Sequence, residues 1–541
     1  MTFDWNNPYL TVRTPVFARN VVSTSHPLAA QAGLRMLLAG GNAVDAALAA
    51  AAMLTVVEPV YNGLGSDAFA IVWDGQELHG LNASGPAPAA WDVEFFRRRH
   101  GEDNRGFAVI PVRGWDTVTV PGAVAAWGEL HARFGSLPFD HILAPAADMA
   151  ERGVTIPPVV AAKWEAAAPL LRGYPGWART FMPNGDSPRT GEKFLFPGAA
   201  NLLRRLAEKG AREFYEGDVA QAVEDWAKKT GGALTSDDLR AFRPEWTRPL
   251  SMEYHGYEVH EIAPNTQGIA ALMALGFLKH WDLPSIGGPD SPEVQHLQIE
   301  SMKLAFSDIR RHVGDPAAMR VTAEQMLAPA YLAERVESVD RRRASFPCPG
   351  LLPSGGTVYL ATADEKGMMV SYIQSNYMGF GSGIVVPEYG ISLQNRGTAF
   401  SADPASANVV APGKRPYHTI IPGFLTENGK PRMSFGVMGG EVQPQGHIQT
   451  IIRMLDYRQQ PQAACDAPRF KINADFSVNL EYRADPALRP ALEALGHTIR
   501  IDPVYHGESG AGQFIWRLSD DPDQGYAAAS DTRRDGCACG F

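Results

Sequence analysis

The stretch 353-PSGGTVYLATADEKG-367 decides how the chain is read. Two glycines lead into Thr357, and Val358, Tyr359, Leu360, Ala361, Thr362 and Ala363 then alternate as a half-buried strand does. Taken alone, Thr357 is the first residue of that strand, because β-branched residues favour strands and Gly-Gly favours turns. Upstream, 346-FPCPGLLPSGG-356 is rich in Pro and Gly, cannot hold regular structure, and is the clearest linker in the chain. A threonine in that position has a second reading. Its hydroxyl is a weak nucleophile unless a base lies beside it, and the α-amine of an N-terminal threonine is such a base. That amine titrates at roughly 7.7–8.0, whereas a peptide nitrogen accepts no proton. The chemistry requires a cut between Gly356 and Thr357. Glycine at 355 and 356 leaves the Gly356 carbonyl open to the Thr357 hydroxyl and tolerates strained backbone.

Working outward, the segment before the linker is mainly helical and the segment after it mainly extended. Residues 26-HPLAAQAGLRMLLAGG-41 predict a short helix ending at Gly40-Gly41, and Asn42 caps an Ala-rich buried helix. In 63-GLGSDAFAIVWDGQELHGLNASG-85, alternation on both sides of Asp74-Gly75 predicts a hairpin. Helices are expected from 121 to 153 and over most of 160–245, then strands at 249–263 and helices at 268–281 and 291–314. Beyond the linker come strands at 357–363 and 369–375, short strands, one helix near 444–457 and a closing hairpin. Strands in both parts would pair into layered sheets between helices.

Composition narrows the function. The chain has 541 residues, 45% of them hydrophobic, and a net charge of −10 from 49 Lys and Arg against 59 Asp and Glu. An acidic chain without a dense basic stripe argues against nucleic-acid binding. The opening MTFDWNNPYLTVRTPVFARN lacks the pattern of a secretory signal, so a cytoplasmic location is expected. The most apolar run, between Asp45 and Glu58, falls short of the roughly 20 residues needed to span a bilayer. Four cysteines are too few for a disulfide framework. Cys537-Ala538-Cys539 has no His or Cys cluster to complete a tetrahedral metal site, and neither metal nor organic cofactor is expected.

Gly379-x-Gly381-x-Gly383 leads into Ile384-Val385-Val386-Pro387 and not into a helix, so it lacks the phosphate-loop mechanism. No G-x-S-x-G elbow is present. His255 and His260 read as opposite faces of one strand-like run. In 434-SFGVMGGEVQPQGHIQ-449, Gly439 and Gly440 sit between an apolar strand and a helix, where bare backbone N–H groups can face an oxyanion.

Several blocks together carry a resemblance that runs from about Val22 to the end. They are 34-LRMLLAGGNAVDAALAAA-51, 119-TVPGAVAAWGELHARFG-135, 299-IESMKLAFSDIRRHVGDP-316, Thr357 with Asp364 and Gly367, 380-FGSGIVVPEYGISLQNRGTAFS-401, 414-KRPYHTIIP-422, and Gly439-Gly440. The sequence resembles the γ-glutamyltransferase family of N-terminal-nucleophile hydrolases, in its signal-less branch that includes oxamate amidohydrolase-like members. The resemblance implies a four-layer αββα sandwich and self-cleavage into a helix-rich large chain, 1–356, and a strand-rich small chain, 357–541, associated as one catalytic unit. It implies amide cleavage through an acyl-threonine. By position, Thr357 matches the nucleophile, Ser375 the hydroxyl that supports its amine, and Gly439 and Gly440 the oxyanion hole.

The substrate pocket departs from the family pattern. Trp91 stands where typical members have the arginine that grips the glutamyl α-carboxylate, and Ala399 where they have the aspartate that holds the α-amine. His418 and Thr419 replace paired serines, and the segment from Ser401 to Gly413 looks too short for a lid. Trp91, Tyr377, Arg396, His418 and Thr419 are expected to line the acyl pocket. The expected function is a self-processing amidohydrolase or acyltransferase acting on a small-molecule amide. Two alternatives stand beside it: a γ-glutamyltransferase with a rebuilt pocket, and an unprocessed binding protein.

Overall fold

The computed structural model describes residues 13–346, 356–503 and 509–541. Apart from its two ends, the expected linker at 346–356 lies outside the described residues. Two seven-stranded sheets stack face to face. The first runs, in spatial order, Val16–Ala18, Tyr526–Ser530, Ala511–Arg517, Lys430–Met438, Gly423–Glu427, Tyr257–Glu261, Leu250–Tyr254. The second runs Cys537–Gly540, Val21–Thr24, Gly356–Ala363, Met369–Tyr377, Asp67–Trp73, Leu78–Ala83, Glu245–Thr247. All pairings within the two sheets are antiparallel.

The period-two alternation of Gly356–Ala363 explains the layering. Tyr359, Ala361 and Ala363 point between the sheets, where they meet Phe424, Met438 and Ile515 of the first sheet. Val358 and Leu360 point the other way, into a helical layer. That layer centres on the helix Ala43–Val57, all of whose residues are buried. Asn42 and Asp45 form a reciprocal capping box that starts it. The helix Pro27–Leu38 packs closely on it at Gly33, where a Cβ would lie 2.8 Å from the Ala46 carbonyl oxygen. On the far side, the helices Gly268–Leu278, Pro292–His312 and Val442–Leu455 cover the outer face of the first sheet. The order is helix, sheet, sheet, helix, as expected for the αββα class.

Three local readings are corrected. His255 does not share a strand with His260; it occupies the turn between Leu250–Tyr254 and Tyr257–Glu261 at φ 52°. The last third also holds two short helices, Pro461–Asp466 and Leu488–Ala494, beside the expected one. The strands Phe470–Ile472, Val478–Glu481 and Ile499–Asp502 form a small separate sheet that includes a parallel pair. No helix among the described residues is long and apolar enough to cross a membrane.

Candidate active site

Thr357 stands near the head of a central strand, 2% exposed. Its ladder with Met369–Tyr377 is irregular there: Gly356 pairs with Tyr377 and Val358 with Gln374, so Ser375 and Asn376 both lie opposite Thr357. A bulge of this kind re-aims side chains and is common beside active sites. Here it brings Ser375 to the threonine: Thr357 Oγ1 donates to Ser375 Oγ at 3.3 Å. Ser375 Oγ in turn accepts the Tyr377 N–H at 2.8 Å, and Tyr377 adopts φ 74°. From the other side Gln443 Nε2 donates to Thr357 Oγ1 at 3.4 Å. Gln443 is held by the Ile421 N–H, which donates to its Oε1 at 2.9 Å.

Gly439 and Gly440 form the sharp turn between the strand Lys430–Met438 and the helix Val442–Leu455. Their φ values are 131° and 68°, a region that disfavours side chains, and a Cβ on Gly439 would meet Val442 at 2.6 Å. Glu441 follows, buried, with Oε1 lacking a hydrogen-bond partner among the described residues. Burial pushes its carboxyl up to about 7, against the pull of Arg310 and Lys471.

A buried charged cluster lies beside the threonine. Arg396 is fully buried in the short turn Arg396–Ala399, its guanidinium 4.1 Å from the centre of the Tyr377 ring. Arg396 Nη1 donates to Thr419 Oγ1 at 2.9 Å, while Nη2 has no acceptor among the described residues. Its Nε is 3.9 Å from Asp67 Oδ2, an ion pair too long for a hydrogen bond. Asp67 is the cross-strand neighbour of Ser375, and His418 Nε2 contacts its Oδ2 at 3.0 Å. Burial drives the His418 pKa well below the ordinary histidine value, helped by Arg396, so the imidazole is neutral and donates to Asp67. Burial raises Asp67 to about 7 despite Arg396, and burial draws Arg396 down to about 10 despite Asp67.

The structure therefore brings Tyr377, Arg396, His418 and Thr419 together around Thr357 and Ser375. Trp91 is not among them. Its ring is buried against Phe96, and a Cβ on Gly397 would lie 2.7 Å from it, so the indole backs the Arg396 turn from behind. Ala399 lines a cavity of about 470 Å³ with Phe107, Ile309, Arg310, Phe400 and Tyr417. Asp67, Glu441 and Gln443 are additions that sequence reading missed. Among the described residues one His and Glu group is compact enough for a metal, His296, Glu300 and His497. The Lys303 ammonium already occupies it, donating to Glu300 Oε1 at 3.0 Å and lying 3.1 Å from His497 Nδ1, so it reads as a buried hydrogen-bond network.

Two stacked sheets between helical layers, with a buried threonine heading a central strand beside a glycine turn, define the N-terminal-nucleophile hydrolase class. The chain belongs to the gamma-glutamyltranspeptidase family, whose profile matches residues 29–541. It is 34% identical over 538 residues to the glutathione hydrolase-like YwrD proenzyme of Bacillus subtilis, covering 98% of this chain and 100% of that one. It is 34% identical over 533 residues to the oxamate amidohydrolase proenzyme of Klebsiella pneumoniae, covering 95% and 97%. The crystal structure of cephalosporin acylase from Bacillus halodurans superposes with a TM-score of 0.94 at 46% identity, covering 100% of this chain and 99% of that one.

Proposed function

We propose that this chain cuts itself between Gly356 and Thr357 and that the freed Thr357 is the nucleophile of an amidohydrolase. The observation that carries this is the placement of the Thr357 hydroxyl between Ser375 and Gln443, directly after the Gly-Gly junction. The products are a large chain, 1–356, and a small chain, 357–541, that stay associated. The Thr357 hydroxyl attacks the amide carbonyl while the new α-amine takes its proton, with Ser375 orienting that amine. The N–H groups of Gly439 and Gly440 stabilise the tetrahedral oxyanion. Collapse breaks the C–N bond, the amine passes its proton to the leaving nitrogen, and water or an acceptor amine releases the acyl group from Thr357.

Arg396 Nη2, buried and without a protein acceptor among the described residues, supports an acyl group with an acid end. Tyr377, His418 and Thr419 complete that pocket, and Trp91 acts on it only through Gly397. The test is N-terminal sequencing of the small chain. A start at position 357, lost in Thr357→Ala and retained in Thr357→Ser, supports the reading; a start at any other position refutes it.

A further inference from the structure

We infer that Gln267 is a positioning residue that ties the oxyanion turn to the acyl pocket through a single side-chain amide. Gln267 is fully buried, just ahead of the helix Gly268–Leu278, in the segment the proposed cut assigns to the large chain. Its side-chain partners all lie in the small chain. Nε2 donates to the Thr419 carbonyl and, at 2.9 Å, to the Gly440 carbonyl. Oε1 accepts from the Tyr417 hydroxyl at 3.2 Å, and the Gln267 backbone N–H donates to the His418 carbonyl at 2.9 Å.

These contacts reach each working part of the site. Thr419 holds Arg396, Tyr417 lines the cavity beside Ala399, and Gly440 belongs to the oxyanion turn. The Gly440 carbonyl also accepts the Gln443 N–H at 3.2 Å, and the Gln443 side chain reaches Thr357. A carbonyl gripped by two donors fixes the Gly440–Glu441 peptide and anchors the turn from which the Gly440 N–H, one φ and ψ away in the preceding peptide, is aimed. Oxyanion donors help catalysis to the extent that they are aimed before the charge develops. The task asks one planar group for two donors and one acceptor, which an uncharged primary amide supplies. Glutamate would present oxygens to both carbonyls, and methionine keeps the shape while losing the donors.

The inference rests on the Thr357 reading, and the experiment separates the two. Wild type, Gln267→Met and Gln267→Glu are assayed on whichever of acetyl, glutaryl and γ-glutamyl p-nitroanilide wild type turns over fastest. Each is also titrated with a boronic acid carrying the same acyl skeleton, and the adduct is read by mass on the small chain. A positioning role gives Gln267→Met a kcat lower by about 10–100-fold with KM within roughly threefold, and boronate affinity falling in parallel. Gln267→Glu is lower still. Unchanged kcat in Gln267→Met, or a raised KM at constant kcat, overturns the inference. If Gln267→Met fails to fold, Gln267→Asn decides: the shorter amide must lose kcat and not KM. A wild-type boronate adduct on any residue but Thr357 refutes the nucleophile reading itself.

Discussion

Replacing Arg396 by glutamine tests the acyl pocket where the structure is most explicit. The guanidinium has one good hydrogen bond, to Thr419, and an Nη2 that meets no acceptor among the described residues. A hydrogen bond to a charged group is worth roughly 1.5–3 kcal/mol, and each 1.36 kcal/mol is about tenfold, so losing the contact to a substrate carboxylate should lower kcat/KM by about 10- to 150-fold. The fold should tolerate the change. Asp67 is already raised to about 7 by burial, with Arg396 the largest force holding it down, so removing the cation leaves a neutral Asp67 beside a neutral His418 and no orphaned buried charge. The assay compares glutaryl and pentanoyl p-nitroanilides, which differ by the terminal carboxylate. Arg396→Gln should lose the stated factor on the first and less than about threefold on the second. Equal losses on both, or none on the glutaryl compound, refute the assignment.

Gly440→Val, which places a β-branched residue at φ 68°, should misdirect the oxyanion donors and cost about 2.7–4 kcal/mol in the barrier, read as kcat on the same anilide. Glu441→Gln should change how stability depends on pH. The folded-state pKa of Glu441 is raised from 4.5 to about 7, so its contribution is full below 4.5 and is lost as pH rises through about 7. The variant should therefore gain roughly 3 kcal/mol over wild type at pH 8 and little at pH 4.5, read from urea unfolding. Trp91→Arg with Ala399→Asp introduces two charges, and the arginine enters a buried aromatic site. It should cost about 3–5 kcal/mol of stability without conferring γ-glutamyl turnover, measured by melting and by γ-glutamyl p-nitroanilide hydrolysis.

The layering was legible because it is local: alternation from Val358 to Ala363 sends successive side chains to the two cores, and the Asn42 cap and Ala-rich run dictate one buried helix. The glycine turn at 439 and 440 was legible for the same reason. Asp67, Gln267 and Gln443 were not, because each acquires its role from partners remote in sequence: 351 residues separate Asp67 from His418 and 173 separate Gln267 from Gly440. Asp67, directly after Gly65-Ser66, carries no local mark of its role. Trp91 shows the converse: a position in the sequence does not say which way a large ring turns, and this indole packs against Phe96 and Gly397.

The strand order has a further consequence. In both sheets, segments from before residue 356 flank segments from after it, and five of the pairings among the described residues join the two sets. The pieces are laced like the fingers of two hands, so a nick at 356 and 357 would separate neither of them on dilution. Parting would demand that those five ladders open together, which makes the lifetime of the pair the lifetime of the fold. The lacing would also set the timing of such a cut. Ser375 faces Thr357 across a single hairpin, but Gln443 reaches it from the helix that follows a strand of the other sheet, so the complete cradle exists only after the two sheets have met.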